Sequence, residues 1–438
     1  SGNSGDLITL YAAFNEHDEA YYIASTINQL KYEPFNYNEI AILYRSNAQS
    51  RILEESLLKA KIPYRIFGGQ KFFERAEIKD ALAYLRLIAN RHDDAAFERV
   101  VNLPTRGIGN TTLNQIRLCS RDTNTSLWSS TEYLISKRSL SSRATSALQI
   151  FLDLINHLDE HSKHFELGEQ TDYALKTSGL LEHYQKDKSE KGYSRVENLE
   201  ELITATSQFN PDDELAELAP LPAFLSHVAL ETGETQADAH SESVSLMTLH
   251  AAKGLEFDSV FVTGLEEQVF PHFNSSDDPE ALEEERRLAY VAITRGRERV
   301  TITWARSRQR FGRLDFNPPS RFLREIPKEA CVSEMEDRFK SPSSNRGGWA
   351  AASNAARAQK SPPAKSWTRV STERELDFDD NQSAGGTSGG VGGQVSHPSF
   401  GMGTIKKLDG DGPNARVTVH FKTVGTKKIV ARFLLFVE

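Results

Sequence analysis

The chain has 438 residues, with 52 Lys+Arg against 61 Asp+Glu for a formal net charge of −9, 38% hydrophobic and 26% charged residues, and two cysteines. At about 100–200 residues per domain, two to four domains are expected. No run approaches the roughly 18–20 apolar residues of a membrane span, SGNSGDLITL lacks the basic-then-apolar order of a signal peptide, and Cys119 and Cys331 are too far apart in sequence to suggest a disulfide framework or thiolate metal site. A soluble, cytoplasmic protein is expected. The acidic balance disfavours uniform coating of nucleic acid but leaves room for a local basic track. The chain begins with Ser and its first Met is Met247, so a piece of something longer is expected.

From Leu7 to about Asn90, strand and helix patterns alternate. LITLYAAF reads as a strand and HDEAYYIASTINQLK as a helix with Tyr21, Ile23, Ile27 and Leu30 at helical spacing. EIAILY is a near-continuous apolar run, the mark of a strand covered on both faces. SNAQSRILEESLLKAK follows, with Ser46 or Asn47 as cap and Ile52, Leu53, Leu57 and Leu58 facing inward. YRIFGG is a short strand, and AEIKDALAYLRLIAN an amphipathic helix. From about Arg91 to Ala239 the pattern is helical only. Alternation resumes with SVSLMTL and DSVFVTGL as strands, EALEEERRLAYVAITRGRER as a helix and RVTITWA as a strand. The simplest account is one parallel α/β domain split by a helical insertion, with parts at 1–90, 91–242 and 243–330.

Residues 331–392 are rich in Ser, Gly, Ala and Pro and read as a flexible linker. Residues 393–438 become strand-like again, with GTIKKL, ARVTVHF and KKIVARF between turn signals, as a small antiparallel barrel requires. Over 391–438, seven Lys/Arg face three Asp/Glu, so this end carries +4 and the rest −13.

Three clusters offer chemistry. In ILYRSNAQSR, Tyr44 and Arg45 fall where a parallel strand enters a loop, the usual ligand edge of open α/β sheets. There Arg45 suits a phosphate and Tyr44 a base, unless Arg45 is simply ion-paired. In MTLHAAKGLEFDSVFVTG, His250 and Lys253 suit a nucleic-acid backbone and Glu256 a ribose hydroxyl; the alternative is a capped histidine and a solvated turn. In EEERRLAYVAITRGRERV, Arg295 ends a helix as an arginine finger would, whereas Glu283, Glu284, Arg297 and Arg299 read as surface pairing along the helix.

Together with FGGQKFFERAEIKDALAYLRLIANRHDDAAFERVVNLPTRGIG, these clusters resemble the second half of the superfamily 1 DNA helicases of the UvrD/Rep/PcrA kind, over nearly the whole chain except the linker. The resemblance implies a RecA-like motor domain (2A) split by an all-helical insertion (2B), with a Tudor/SH3-like barrel at the end. It also implies ATP-driven 3′→5′ stepping on single-stranded DNA. Carried over by position, it makes Tyr44 an adenine-packing residue, Arg45 and Arg295 catalytic phosphate sensors, and Glu256 a nucleotide contact. His250 and Lys253 would lie on the DNA track. Thr105, Arg106, Gly107 and Gly109, in the tight turn of TRGIGNTTL, would grip duplex phosphate, or the glycines would be a turn only. Implied partners are single-stranded DNA and its junctions with duplex, RNA polymerase at the barrel, and mismatch- and excision-repair proteins.

No Gly-x-x-x-x-Gly-Lys-Ser/Thr occurs, nor an acidic Walker B run of the family's kind. The groups that cradle the β-phosphate of ATP and hold Mg²⁺ are therefore missing, and the chain alone is expected to lack ATPase activity. Two rivals remain: a truncated, non-catalytic DNA-binding or docking protein, and a RecB-type nuclease-helicase. The second is disfavoured because no acidic metal-ligand cluster follows the motor region.

Overall fold

The computed structural model describes residues 5–30, 36–211, 215–233, 242–310, 312–333, 394–397, 401–409, 416–421, 425–430 and 435–437. They fall into two compact units, one within residues 1–346 and one within 347–438.

The first unit opens with β1 (Ile8–Ala13), α1 (Glu16–Leu30), β2 (Ile40–Tyr44), α2 (Ser50–Lys59), β3 (Tyr64–Ile66) and α3 (Ala76–Ala89). Eight helices follow: α4 (Asp94–Val100), α5 (Asn110–Thr123), α6 (Leu127–Ser136), α7 (Ser142–Ser162), α8 (Leu167–Thr177), α9 (Leu180–Gln185), α10 (Glu190–Gln208) and α11 (Pro220–Gly233). The chain then returns as β4 (Val244–Thr248), β5 (Phe257–Val262), α12 (Pro279–Ile293), β6 (Gly296–Ala305), the hairpin β7 (Arg308–Arg310) and β8 (Arg313–Asp315), and β9 (Cys331–Ser333). Seven strands form one parallel sheet in the order β3-β4-β2-β5-β6-β1-β9.

Strand alternation divides the core in two. Ile40, Ile42 and Tyr44 join Leu246 and Phe261 on the face covered by Ile23 and Ile27 of α1 and Leu53 and Leu57 of α2. Ala41, Leu43, Met247, Val260, Val262 and Ile302 face the other way, onto Leu288, Ala289 and Ala292 of α12. Burying both faces explains why these strands read as continuous apolar runs. Ile52 and Leu58 are only partly buried, at the flanks of the α2 stripe.

The helices form a third core. Ile78, Leu82 and Leu85 of α3 pack there with Phe97, Phe151, Leu199 and Phe224. The helical body therefore begins near Phe72, earlier than the break at Asn90 expected from pattern. An amphipathic helix advertises a buried face without saying which core buries it. Two further differences are local: α12 stops at Ile293, because the chain resumes strand geometry at Gly296, and β9 forms at the start of the stretch read as linker. The linker expectation otherwise falls on residues 334–392, outside the described residues.

The second unit contains β10 (Gln394–His397), β11 (Gly401–Asp409), β12 (Arg416–Phe421), β13 (Gly425–Val430) and β14 (Leu435–Val437), antiparallel in the order β13-β12-β11-β10-β14. Val395, Ile405, Val417, Val419 and Phe421 are buried. Gly403 lets β12 approach β11: a Cβ there would sit 2.5 Å from Val419 and 2.7 Å from Phe421.

Candidate nucleic-acid and nucleotide sites

The turn after β2 is organised by Gln49, whose Oε1 accepts from the backbone N–H of Arg45 (3.0 Å) and Ser46 (2.9 Å). Ser46 caps the short helix Asn47–Gln49, whereas α2, the helix expected to be capped by Ser46 or Asn47, starts at Ser50 after Gln49 with no side-chain cap. Alternation then decides two side chains. Tyr44 shares the parity of Ile40 and Ile42, so its ring is fully buried beneath α2. Among the described residues its hydroxyl has no hydrogen-bond partner, and burial pushes the phenol above its usual pKa. A ring so enclosed has no face to offer adenine, so the stacking role expected of Tyr44 is not supported in this conformation.

Arg45 points the other way, towards α12. Its Nε donates to both Glu285 carboxylate oxygens (2.9 and 3.0 Å) and its Nη2 to one of them (2.6 Å). Glu285 also accepts from the His272 N–H (3.2 Å) and the Ser275 hydroxyl (3.3 Å). This is a fork-to-carboxylate pair, largely buried, and it neutralises the guanidinium.

β4 ends beside β2, with the Leu249 N–H donating to the Tyr44 carbonyl at 2.9 Å. His250 follows directly, so Arg45, Asn47, Thr248 and His250 line one cleft of about 620 Å³, walled by Lys191 and Ser194 of α10. Partial burial, and then the neighbouring Arg45 charge, hold the His250 imidazole below its ordinary pKa.

Arg295 lies elsewhere. It precedes β6 at the end where β5 begins, with Phe257 paired to Gly296, whereas Arg45 follows the opposite end of β2, beyond the pairing of Leu43 with Val262. The six residues of β5 place about 20 Å along the strands between them. The shared cleft expected for Tyr44, Arg45 and Arg295 is therefore absent from this arrangement.

Arg295 is positioned by neutral oxygens alone. Its Nε donates to the Val291 carbonyl (3.0 Å), Nη1 to the Leu255 carbonyl (2.9 Å) and Nη2 to the Thr294 hydroxyl (3.1 Å). Among the described residues no carboxylate forms an ion pair with it, so it is oriented but keeps its charge. The turn it grips carries exposed Lys253 and Glu256, with Gly254 at a positive φ of 90°. Arg297 pairs with Asp258 and Arg299 with Asp6, while Glu283 and Glu284 pair with Arg286 and Arg287 three residues on. Glu283 and Glu284 thus pair along the helix, as expected, whereas Arg297 and Arg299 lie on β6 and pair outside it.

In the helical body, Thr105, Gly107 and Gly109 are exposed on the turn that opens α5. Gly107 has φ of 78°, which favours glycine. Asn102 shapes this turn by accepting from the N–H groups of Arg106 (2.8 Å) and Ile108 (3.1 Å). Arg106 itself turns inward, donating to the carbonyls of Val100, Pro104 and Ser178 and to the Tyr84 hydroxyl. Its guanidinium also sits 5.3 Å from the Phe151 ring. With its donors so engaged, Arg106 braces the turn and does not present its charge to phosphate.

A split parallel sheet, an arginine fixed yet unneutralised at a helix end, and a cleft at the opposite strand edge fit a nucleic-acid motor lobe. Residues 1–307 match the UvrD-like helicase C-terminal domain, and the chain belongs to that helicase family. Residues 391–434 match the PcrA/UvrD tudor domain. The chain is 48% identical over 432 residues to DNA helicase II of Salmonella typhimurium and to that of Escherichia coli, covering 99% of this chain and 56% of each relative. ATP-dependent DNA helicase PcrA of Bacillus subtilis is 36% identical over 439 residues, covering 98% of this chain and 57% of the relative. The chain thus spans a little over half the length of these relatives.

Sequence reasoning missed Glu285, Glu197 and Asn102. Glu197 accepts from the Ser46 hydroxyl (2.5 Å) and from His272 Nε2 (2.7 Å), holding α10 against the turn after β2. These partners lie far apart in the chain, and no local pattern marks them.

Proposed function

We propose that this chain supplies the second lobe of an ATP-driven 3′→5′ DNA helicase. Arg295 and Glu256 face a nucleotide, and the Arg45–His250 cleft carries single-stranded DNA. The observation that carries the reading is the Arg295 guanidinium, aimed by three neutral oxygens and left with its charge. Such a group stabilises negative charge developing on a transferring phosphoryl group without reorganising. Exposed Glu256 on the adjoining turn suits a ribose hydroxyl, and exposed Lys253 a nearby phosphate. Bound ATP supplies the phosphoryl group. Its β-phosphate cradle and Mg²⁺ ligands belong to a lobe carrying a Gly-x-x-x-x-Gly-Lys-Ser/Thr loop, a sequence absent from these 438 residues.

Arg45 is better assigned to the DNA side than to the nucleotide. It shares its cleft with His250, and it follows the strand end opposite to the one that carries Arg295. Thr105, Gly107 and Gly109 would meet a duplex backbone through main-chain N–H groups at the start of α5, with Arg106 as brace. The C-terminal five-stranded unit would dock a protein, RNA polymerase or a mismatch- or excision-repair factor.

The purified 438-residue chain should show no DNA-stimulated ATP turnover. Fused to the part of the Escherichia coli relative that it does not cover, it should show turnover. Turnover by the chain alone, with contaminating helicase excluded, would overturn the proposal.

A further inference from the structure

Arg295 opens the junction between α12 and β6, and that junction is bound to the segment leading into β5. The Phe257 N–H donates to the Arg295 carbonyl (2.9 Å). Arg297 donates to the Glu256 carbonyl (3.4 Å) and pairs with the Asp258 carboxylate (3.0 Å). The backbone around Arg295 is thereby fixed. What remains to be set is its long side chain, which folds back over the last turn of α12.

Two of the three acceptors that set it, the Val291 and Leu255 carbonyls, are main chain and are there whatever side chains stand at those positions. The third is the Thr294 hydroxyl, 3.1 Å from Nη2. A hydroxyl can accept there only if its own proton points elsewhere. It does, because Thr294 Oγ1 donates to the Val291 carbonyl at 3.0 Å, the same oxygen that takes the Arg295 Nε–H. Thr294 closes α12, with its N–H on the Tyr290 carbonyl (3.1 Å), so the hydroxyl has a fixed base. Val291, Thr294 and Arg295 thus form a small ring of hydrogen bonds at a helix C-terminus, where the backbone dipole favours a cation. Valine, of the same shape, would lack the acceptor. A carboxylate would supply one but cancel the charge.

We propose that Thr294 is a positioning residue for phosphoryl transfer, its hydroxyl fixing the plane of the Arg295 guanidinium before the nucleotide arrives. The proposal rests on the assignment of Arg295 to the nucleotide. A group already aimed needs no reorganisation as charge develops on the phosphoryl oxygens. Thr294 is exposed in this lobe alone, so its bond gains weight when a nucleotide-bearing lobe covers the helix end and excludes water.

The test uses the fusion with the uncovered part of the Escherichia coli relative, with ATP turnover read at saturating single-stranded DNA. Thr294→Val should lower kcat by roughly tenfold and leave KM for ATP, DNA affinity and melting temperature unchanged. Thr294→Ser, which keeps the hydroxyl, should stay within about twofold of the unaltered fusion. In an Arg295→Ala background, read by single turnover, adding Thr294→Val should cost nothing further, because the bond it removes is already gone. Thr294→Ala should repeat these readings if valine packs poorly at the helix end. Unchanged kcat in both the valine and alanine variants, an equal loss in the serine variant, or an undiminished loss in the Arg295→Ala background would overturn the positioning role. If Arg295→Ala itself keeps full turnover, the nucleotide assignment of Arg295 fails and the role of Thr294 falls with it.

Discussion

At the residue scale, four side chains decide what each surface does. Tyr44 and Arg45 are adjacent, and strand parity sends one into the α1–α2 core and the other to Glu285, so a dipeptide that reads as one site serves two surfaces. His250 makes a pH-dependent prediction. Its pKa lies below the ordinary value, through burial first and then Arg45, so the ring is neutral near pH 7. A DNA phosphate beside it would favour the charged ring and couple binding to proton uptake. Affinity for single-stranded DNA should therefore rise as pH falls from about 7.5 to about 6, and His250→Gln should flatten that rise. An unchanged pH profile in the variant would remove His250 from the track. Arg106 makes the opposite kind of prediction. Arg106→Ala should destabilise the helical body by about 2–4 kcal/mol, because four acceptors lose their donor, while duplex affinity changes less than roughly twofold. A large affinity loss in a variant of unchanged melting temperature would restore it to the duplex contact.

At the scale of elements, the seam between α2 and α10 joins the two halves of the first unit. Arg51 reaches Glu201 (2.6 Å) and Gln208 (3.1 Å). Arg75 reaches Asn198 (2.8 Å) and Ser50 (2.7 Å), and Asn198 donates to Glu77 (2.6 Å). Glu54 sits beneath this network, accepting from the Ser50 hydroxyl (2.6 Å) and the Phe72 N–H (3.2 Å), and burial raises its carboxyl to about 7. A proton held more tightly in the folded chain than in the unfolded one stabilises the fold fully below the ordinary carboxyl pKa. That contribution is lost as pH rises through about 7. The stability of Glu54→Gln relative to the unaltered chain should thus be about 2 kcal/mol higher at pH 8 than at pH 5. Equal stability differences at the two pH values would contradict the raised pKa.

For the whole molecule, much of the fold was legible because burial on both faces of β2 and β5 leaves apolar runs, and amphipathic helices such as α1 keep their spacing. The short strand β9 was not legible, since three residues at the head of a polar stretch carry no period. The candidate site was legible as residue types and illegible as geometry. His250 and Arg295 stand out by motif, but only parallel register shows that Arg45 and Arg295 follow opposite strand ends. Glu285 and Glu197, which decide what Arg45 and Ser46 do, pair across 240 and 151 residues.

The central claim is this division of labour, and one paired assay tests it. In the fusion carrying both lobes, ATP turnover at saturating DNA and affinity for single-stranded DNA are measured for Arg295→Ala and Arg45→Ala. Arg295→Ala should lower turnover by about a thousandfold with DNA affinity intact, and Arg45→Ala should weaken DNA binding while sparing most turnover. Equal collapse of turnover in both variants, as one shared nucleotide cleft demands, would contradict the account.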